Sequence, residues 1–185
     1  MIFQRDTAFH LALRLTMRRI LATLAVVGAL LFSAGSAWAD MGADPAQRGN
    51  SADGVEAYNR GDYATAFREI RPLAEQGDAK AQFTLGVMYD NGKGVPENDA
   101  EAVKWFRKAA EQGNASAQSN LGIMYVLGIG VPEDYVKAHM WFSLAKAEGH
   151  EGAAKSLDLV KKQMNTDQTS EAQKLAAEMR EKHNN

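Results

Sequence analysis

Hydrophobic and polar positions recur with a period of 36 residues over residues 81–152. When residues 81–116 are aligned with residues 117–152 without a gap, identical residues occur at many positions from one end of the alignment to the other. In each copy the apolar residues lie at intervals of three and four, as in Leu85, Met88 and Tyr89, and this spacing predicts one face of an α-helix. Each copy therefore predicts a pair of amphipathic helices, A and B, and a repeated structure in which neighbouring pairs share a core.

Polar and glycine residues mark the helix ends within each copy. Asp78 and Asn114 stand where helix A begins, and such side chains accept hydrogen bonds from the first free amides of a helix. The pattern Asn98-x-x-Glu101 predicts the start of helix B, with Asn98 accepting from early amides and Glu101 reaching back. Helix A is expected to end at paired glycines, and helix B at Gly77, Gly113 and Gly149.

Small residues are predicted where two helix axes approach closely, with large residues filling the space between them. A larger residue at Gly86 is expected to force helices apart. The residues expected to have this structural role are Leu85, Gly86, Tyr89, Gly92, Gly94, Ala102, Trp105 and, in the second copy, Leu121, Gly122, Tyr125, Gly128, Gly130, Ala138 and Trp141.

Partial copies flank the two full ones. Residues 54–80 match a shortened copy, in which Tyr58 aligns with Tyr89 across a link five residues shorter. Residues 153–164 continue the register and then lose it. Residues 165–169 are expected to interrupt the helix, and Ser170-x-x-Gln173 predicts the start of a final helix within residues 165–182 that covers the open end of the stack.

The first 39 residues have the pattern of a secretory signal peptide. Basic residues precede a 13-residue apolar run, Ile20–Phe32, and Ala37-Trp38-Ala39 is a typical cleavage site. We expect cleavage after Ala39, a flexible segment over residues 40–53, and a periplasmic or secreted product. Met17 is an alternative start of translation, and an uncleaved membrane anchor is an alternative interpretation of residues 20–39.

The amino-acid composition excludes several kinds of site and of ligand. The 185 residues include no cysteine, which excludes disulfides, a thiol nucleophile and thiolate metal ligands. With 21 Lys and Arg against 23 Asp and Glu, the chain lacks the basic excess typical of nucleic-acid binding. No nucleic acid, cofactor or metal is expected, and no membrane contact once the leader is removed.

The repeated motif A-x-x-x-L-G-x-M-Y-x-x-G-x-G-V-P, followed by A-x-x-W-F and A-x-x-x-G, resembles the Sel1-like repeat family, a relative of the tetratricopeptide repeats. The resemblance implies an all-α fold, a right-handed α-α superhelix (solenoid) of about three to four helix pairs, here with a C-terminal capping helix. It also implies a non-enzymatic interaction scaffold, often in exported proteins, that binds a protein or peptide. Some cysteine-rich members have hydrolase activity toward β-lactams, and this chain lacks those cysteines.

The resemblance implies that helix A lines a concave face. The residues expected there are Phe83, Val87, Asp90 and Asn91 in one copy, Ser119, Ile123, Val126 and Leu127 in the next, and Lys155, Leu159, Lys162 and Gln163 in the fading third. Their side chains would form a groove with an apolar stripe and a basic end, suited to a peptide with apolar anchors. The alternative is that Phe83 and Val87 belong to the core.

No enzyme signature supports a reaction. The chain has no G-x-S-x-G motif and no phosphate-binding P-loop. His139 and His150 are too far apart in sequence for a zinc-binding helix pair; His139 is expected on the surface of helix B, and His150 in a loop. The predicted function is an exported scaffold for a partner protein or peptide. The alternatives are a cell-envelope hydrolase directed at β-lactams or peptidoglycan, by family analogy, and a membrane-tethered assembly factor.

Overall fold

The computed structural model describes the backbone of residues 45–184 and the side chains of residues 53–183. This part of the chain is helical, with no strand. Its helices, in order, are α1 (Pro45–Arg60), α2 (Tyr63–Glu75), α3 (Ala79–Asn91), α4 (Asp99–Glu111), α5 (Ala115–Leu127), α6 (Tyr135–Ala147), α7 (Glu151–Lys161) and α8 (Thr166–Asn184). The signal peptide and cleavage site predicted for residues 1–39 lie outside the described residues.

The helices stack as consecutive pairs. Within a pair, α1 packs on α2, α3 on α4 and α5 on α6, and each second helix also packs on the first helix of the following pair. The core lies between these layers. One buried cluster joins α1, α2 and α3, and a larger one extends from α4 to α8. The all-helical repeat architecture predicted from the 36-residue period is therefore confirmed.

The predicted helix starts are confirmed with one difference. Asp78 and Asn114 accept backbone hydrogen bonds from Ala81 and Ala117 at 2.7 and 2.9 Å. Asn98 accepts from the amide of Glu101 at 3.1 Å. The Glu101 side chain does not reach back, because the Asn98 amide donates to the Tyr89 carbonyl and the Glu101 carboxylate pairs with Lys104.

Glycine permits the closest contact inside each pair. A Cβ built on Gly86 would lie 2.6 Å from the Phe106 ring, and one built on Gly122 would lie 2.6 Å from the Phe142 ring. Both phenylalanines are about 1 % exposed. The ring of helix B therefore fills the space that a side chain on helix A would need, as expected for a close-packed interior.

Glycine also closes each A helix onto an earlier pair. Gly94 and Gly130 have positive φ, and a Cβ on either would lie within 2.5 Å of a backbone oxygen, that of Tyr63 or Asp99. Both reasons restrict these positions to glycine. The loop after each A helix is thereby held against the first residue of the preceding B helix.

The first pair differs from the prediction in register and in length. Ile70 packs against Gly54 as Phe106 packs against Gly86. A Cβ built on Gly54 would lie 2.7 Å from Ile70 Cγ1. The Asp62 amide donates to Ala57, as the Asn98 amide donates to Tyr89. Ala57, and not Tyr58, therefore occupies the place of Tyr89.

Helix α1 begins at Pro45, inside the segment predicted to be flexible from residue 40 to residue 53. Proline is well suited to the first turn of a helix because its fixed φ matches the helix and its missing N–H would be unbonded there. The structure thus places residues 45–53, predicted as part of a flexible segment, in a helix.

The C-terminal helix begins earlier than predicted and packs elsewhere. Asn165 and Gln168 form a reciprocal capping box, with bonds of 2.9 and 3.0 Å, so the predicted box at Ser170 lies inside the helix. Helix α8 packs on α6 and makes little contact with α7, the end of the stack. In α7 the position of Gly86 and Gly122 is occupied by Asp158, which is exposed. A second helix that crossed α7 in the same way would meet this side chain and bury its carboxylate.

Candidate binding surface

The first helix of each pair presents an equivalent residue directly after its crossing glycine. The structural register places Val55 after Gly54, as Val87 follows Gly86, and the 36-residue period adds Ile123 and Leu159. Residues at equivalent positions of stacked helices point in the same direction. We name Val55, Val87, Ile123 and Leu159 the apolar ladder.

Exposure is greatest at the two ends of the apolar ladder. Among residues 53–183, the large apolar side chains that are exposed are Val55, at 42 %, and Leu159, at 63 %. Val87 and Ile123 are half-buried and pack with one flank against the core. Removing apolar surface from water is favourable by about 25 cal/mol per Å². Covering this row of two exposed and two half-buried apolar side chains is therefore favourable.

The remaining positions predicted for the concave face are mixed in character. Phe83 is half-buried, and its ring centroid lies 5.8 Å from that of Phe106, so one side of it belongs to the core. Ser119, the equivalent residue one repeat later, is only 6 % exposed. Its assignment to a partner-binding surface is wrong, because a small side chain enclosed by neighbouring helices has almost no surface to offer.

Two polar candidates already take part in interactions within the protein. The Asn91 side-chain amide donates to the Val87 carbonyl at 2.9 Å, which ties it to the last turn of α3. Asp90 is half-buried and also takes part in an interaction. Val126 and Leu127 are half-buried near the end of α5.

The basic end of the surface is open to solvent. Lys155 and Lys162 are exposed, and in the described part of the chain neither forms an ion pair. They lie four residues before and three residues after Leu159, which places all three side chains on one face of α7 and its end. Gln163 is exposed beside them. An exposed leucine between two unpaired lysines is the feature that distinguishes this end from the rest of the ladder.

The predicted structural residues that belong to the helices lie in or against the core, whereas Gly92, Gly94 and Gly130 lie in exposed loops. Leu85, Leu121, Ala102 and Ala138 are fully buried, and Tyr125 and Trp141 nearly so. Tyr125 also links the two full copies, since its hydroxyl accepts from Arg107 at 2.9 Å. Tyr89 and Trp105 are half-buried; the Tyr89 ring meets Phe67 edge-on, with 6.2 Å between ring centroids.

A glutamine side chain forms a hydrogen-bonded bridge in the first full repeat, and the equivalent bridge is missing from the second. Gln112 donates from its side-chain amide to the Gln82 side-chain oxygen at 2.7 Å and to the Gly77 carbonyl at 2.9 Å. One repeat later the corresponding residue is Glu148, and the buried Gln118 side-chain oxygen has no hydrogen-bond partner. Glu148 has no side-chain amide N–H with which to make the bond that Gln112 makes.

The two histidines considered as metal ligands have other surroundings. His139 is 3 % exposed, so its predicted surface position is wrong: it occupies the place of buried Val103, where helix B faces the following pair. Burial, and then the positive charge of Lys161, lowers the pKa of His139. His150 begins α7 without a side-chain capping bond. Among the described residues there is no group of three or more metal-ligating side chains.

None of the helices described over residues 45–184 is long and apolar enough to cross a bilayer.

The stacked pairs, shared core and glycine-closed A helices define a helical-repeat solenoid. The Sel1 repeat family matches residues 79–114 and 115–150, which are α3–α4 and α5–α6 with their loops. Residues 79–150 therefore consist of two Sel1 repeats.

Solved structures of similar proteins have the same architecture. One is a protective antigen of uropathogenic Escherichia coli displaying an SLR fold, with 31 % identity and a TM-score of 0.70 over 74 % of this chain and 30 % of that chain. Another is a Sel1 repeat protein from Oxalobacter formigenes, with 37 % identity and a TM-score of 0.58 over 61 % of this chain and 48 % of that one.

A curated relative is similar over a shorter segment. DAP3-binding cell death enhancer 1 of Rattus norvegicus is 37 % identical over 50 residues, which are 27 % of this chain and 10 % of that protein. The chain thus spans less than half the length of each of these similar proteins.

Proposed function

We propose that this protein is an exported, non-enzymatic scaffold that binds a partner protein or peptide on the concave face formed by its A helices. The observation that supports the proposal is the apolar ladder, whose two ends are the exposed large apolar side chains among residues 53–183. Apolar side chains aligned on successive repeats offer one continuous surface, whereas scattered ones do not. Membership in a repeat family typical of protein–protein interaction agrees with this function.

Export is part of the proposal and rests on the sequence of residues 1–39. A basic start, a 13-residue apolar run and Ala37-Trp38-Ala39 would direct secretion and cleavage, leaving a product that begins at Asp40 in the periplasm or outside the cell. N-terminal sequencing of the protein from fractionated cells tests this part. A chain retained in the membrane with residues 20–39 attached would contradict it and favour a tethered assembly factor.

The binding face is tested by site-specific photocrosslinking in cells. A photoreactive amino acid is placed at Leu159 on the ladder and, as a control, at exposed Gln173 on α8. We expect a discrete adduct from position 159 and none of the same mass from position 173. Equal adducts from both positions would contradict a binding face on the A helices.

A matched pair of variants separates binding from folding. V55E/L159E places two carboxylates on the exposed ends of the ladder, and Q173E/A177E places two on the exposed outer side of α8. We expect the first variant to lose the adduct, monitored from a photoreactive residue at position 127, and the second to keep it. Both should retain the helical circular dichroism of the parent, because none of the four positions is buried.

A further inference from the structure

The apolar ladder has a regular step. Neighbouring helices in a packed layer lie about 8–10 Å apart, and α5 and α7, the A helices of successive pairs, contact each other directly. The step from Ile123 to Leu159 therefore covers about 10 Å, and we take the same step for Val87 to Ile123 because the repeat is equivalent. The four residues from Val55 to Leu159 mark a line about 30 Å long across the A helices.

This step selects the conformation of what can bind along the ladder. In an α-helix, residues seven apart share a face and are about 10.5 Å apart along the axis. In an extended strand, residues three apart span about 10 Å but point to opposite sides, and residues two apart span only about 7 Å. A helix thus matches every step with side chains on one face, whereas a strand matches none.

Charge gives the ladder a direction. At the α1 end, Glu56 pairs with Arg60 on the same helix, so these two charges largely cancel. At the α7 end, Lys155 and Lys162 lie on either side of Leu159, exposed and without an ion pair among the described residues. Carboxylates near this end would gain two opposite charges at short range.

We propose that the partner element recognised by this surface is an amphipathic α-helix with apolar side chains at seven-residue intervals and acidic residues at the end that lies over Lys155 and Lys162. This inference rests on the proposed function and adds the partner's conformation and charge. The partner helix would lie across the A helices, with each apolar side chain against one residue of the ladder.

The probes are two synthetic peptides of equal length with leucine at identical seven-residue intervals. One has glutamate in the polar positions of a terminal turn, and the other has lysine in those positions. Binding of each labelled peptide to the full-length protein is followed by fluorescence anisotropy at low and high salt. We expect the acidic peptide to bind about tenfold more tightly at low salt, which is the scale of two exposed charge contacts, and the preference to shrink at high salt.

Charge-reversal variants locate the contact. K155E/K162E should reverse the preference, so that the lysine peptide becomes the tighter binder. K174E/K182E changes two exposed lysines of α8 and alters the net charge equally, so it should leave the preference unchanged. A third peptide, with proline at two central positions and the same composition otherwise, should bind about tenfold more weakly if a helix is required.

The outcomes distinguish this inference from the proposed function. Equal binding of the two charged peptides, equal effects of the two charge reversals, or unchanged binding of the proline peptide overturns the inference. Failure of both charged peptides to bind also overturns it. The proposed function depends instead on the crosslink from position 159, which can occur with a partner of any conformation or charge.

Discussion

The two full repeats share one sequence frame but use the outer face of helix B differently. In α4 this face presents Lys104 and Lys108 to solvent, and the Lys108 ammonium lies 4.3 Å from the centroid of the half-buried Trp105 ring. In α6 the equivalent residues are Met140, Trp141 and Leu144, each no more than 6 % exposed. Helix α8 lies against α6 and accounts for this burial.

The comparison shows that the repeat motif specifies the inside of a pair and leaves the outside free. The Gly86–Phe106 contact is reproduced as Gly122–Phe142, with the same 2.6 Å between a Cβ built on the glycine and the ring. The outside changes from basic to apolar through the replacement of Lys104 by Met140 and Lys108 by Leu144. Long charged side chains leave the outer face of α4 exposed to solvent. The apolar side chains on the outer face of α6 pack against α8.

The largest effect is expected from giving the second repeat the outer face of the first. In M140K/L144K, two buried apolar side chains become lysines, and loss of such a side chain from a core costs about 2–5 kcal/mol each. We expect α8 to detach, so that amide hydrogen exchange over residues 166–184 accelerates more than a hundredfold.

The reverse exchange, K104M/K108L, is the control for this variant. It changes an exposed face and should leave exchange over residues 166–184 as in the parent. Continued protection of α8 in M140K/L144K would contradict the role of these two residues.

The contact that the repeats share gives the next largest effect. G86A and G122A each place a Cβ against a phenylalanine ring that is already buried, and overpacking of this kind costs about 1–3 kcal/mol. Urea unfolding followed by circular dichroism should show similar losses for both variants. Combining G122A with F142L should recover part of the loss, and a loss unaffected by F142L would show that the strain lies elsewhere.

A smaller effect is expected at the bridging glutamine. E148Q supplies the amide donor that Gln118 lacks and should raise the free energy of unfolding by about 1 kcal/mol. Q112E removes the bridge from the first repeat and should lower it by about 1–3 kcal/mol, because a buried acceptor loses its partner. Chemical denaturation of both variants checks the pair of signs, and equal signs would contradict the explanation.

The smallest effect at neutral pH is expected at His139, where the first repeat has Val103. Burial lowers the pKa of His139 in the folded protein, so the unfolded chain takes up a proton first as the pH falls. Its contribution is present above the unfolded pKa of about 6.5 and is lost as the pH falls below it.

H139V should remove this part of the acid sensitivity, as measured by unfolding at several pH values between neutral and acidic. H183Q, at an exposed histidine of α8, is the control. An identical pH profile for H139V and the parent would show that His139 is not responsible.

Sequence reasoning succeeded where one local pattern determines one local structure. Asp78 and Asn114 begin helices because a short polar side chain can bond the free amides, and Gly86 is small because a ring occupies the adjacent space. It failed where position along the stack matters. Tyr58 resembles Tyr89 in sequence, but the helix pairing places Ala57 there.

The candidate surface was anticipated in part. The period aligns Val87, Ile123 and Leu159, and the family resemblance places them on the concave face. Val55 belongs to the ladder only through the register that Gly54 and Ile70 set. Ser119 was misplaced because its position matches half-buried Phe83, and its burial depends on the neighbouring helices.

The sequence by itself determined the helix pairs, their caps and the glycine positions between them, because hydrogen bonding and side-chain volume at these sites act over a few residues and repeat every 36. Only the tertiary structure decided that α8 returns to α6 and leaves α7 largely uncovered, and that His139 is enclosed. These outcomes depend on contacts between segments far apart in the chain, whose free energies are set by which surfaces meet and which remain in water.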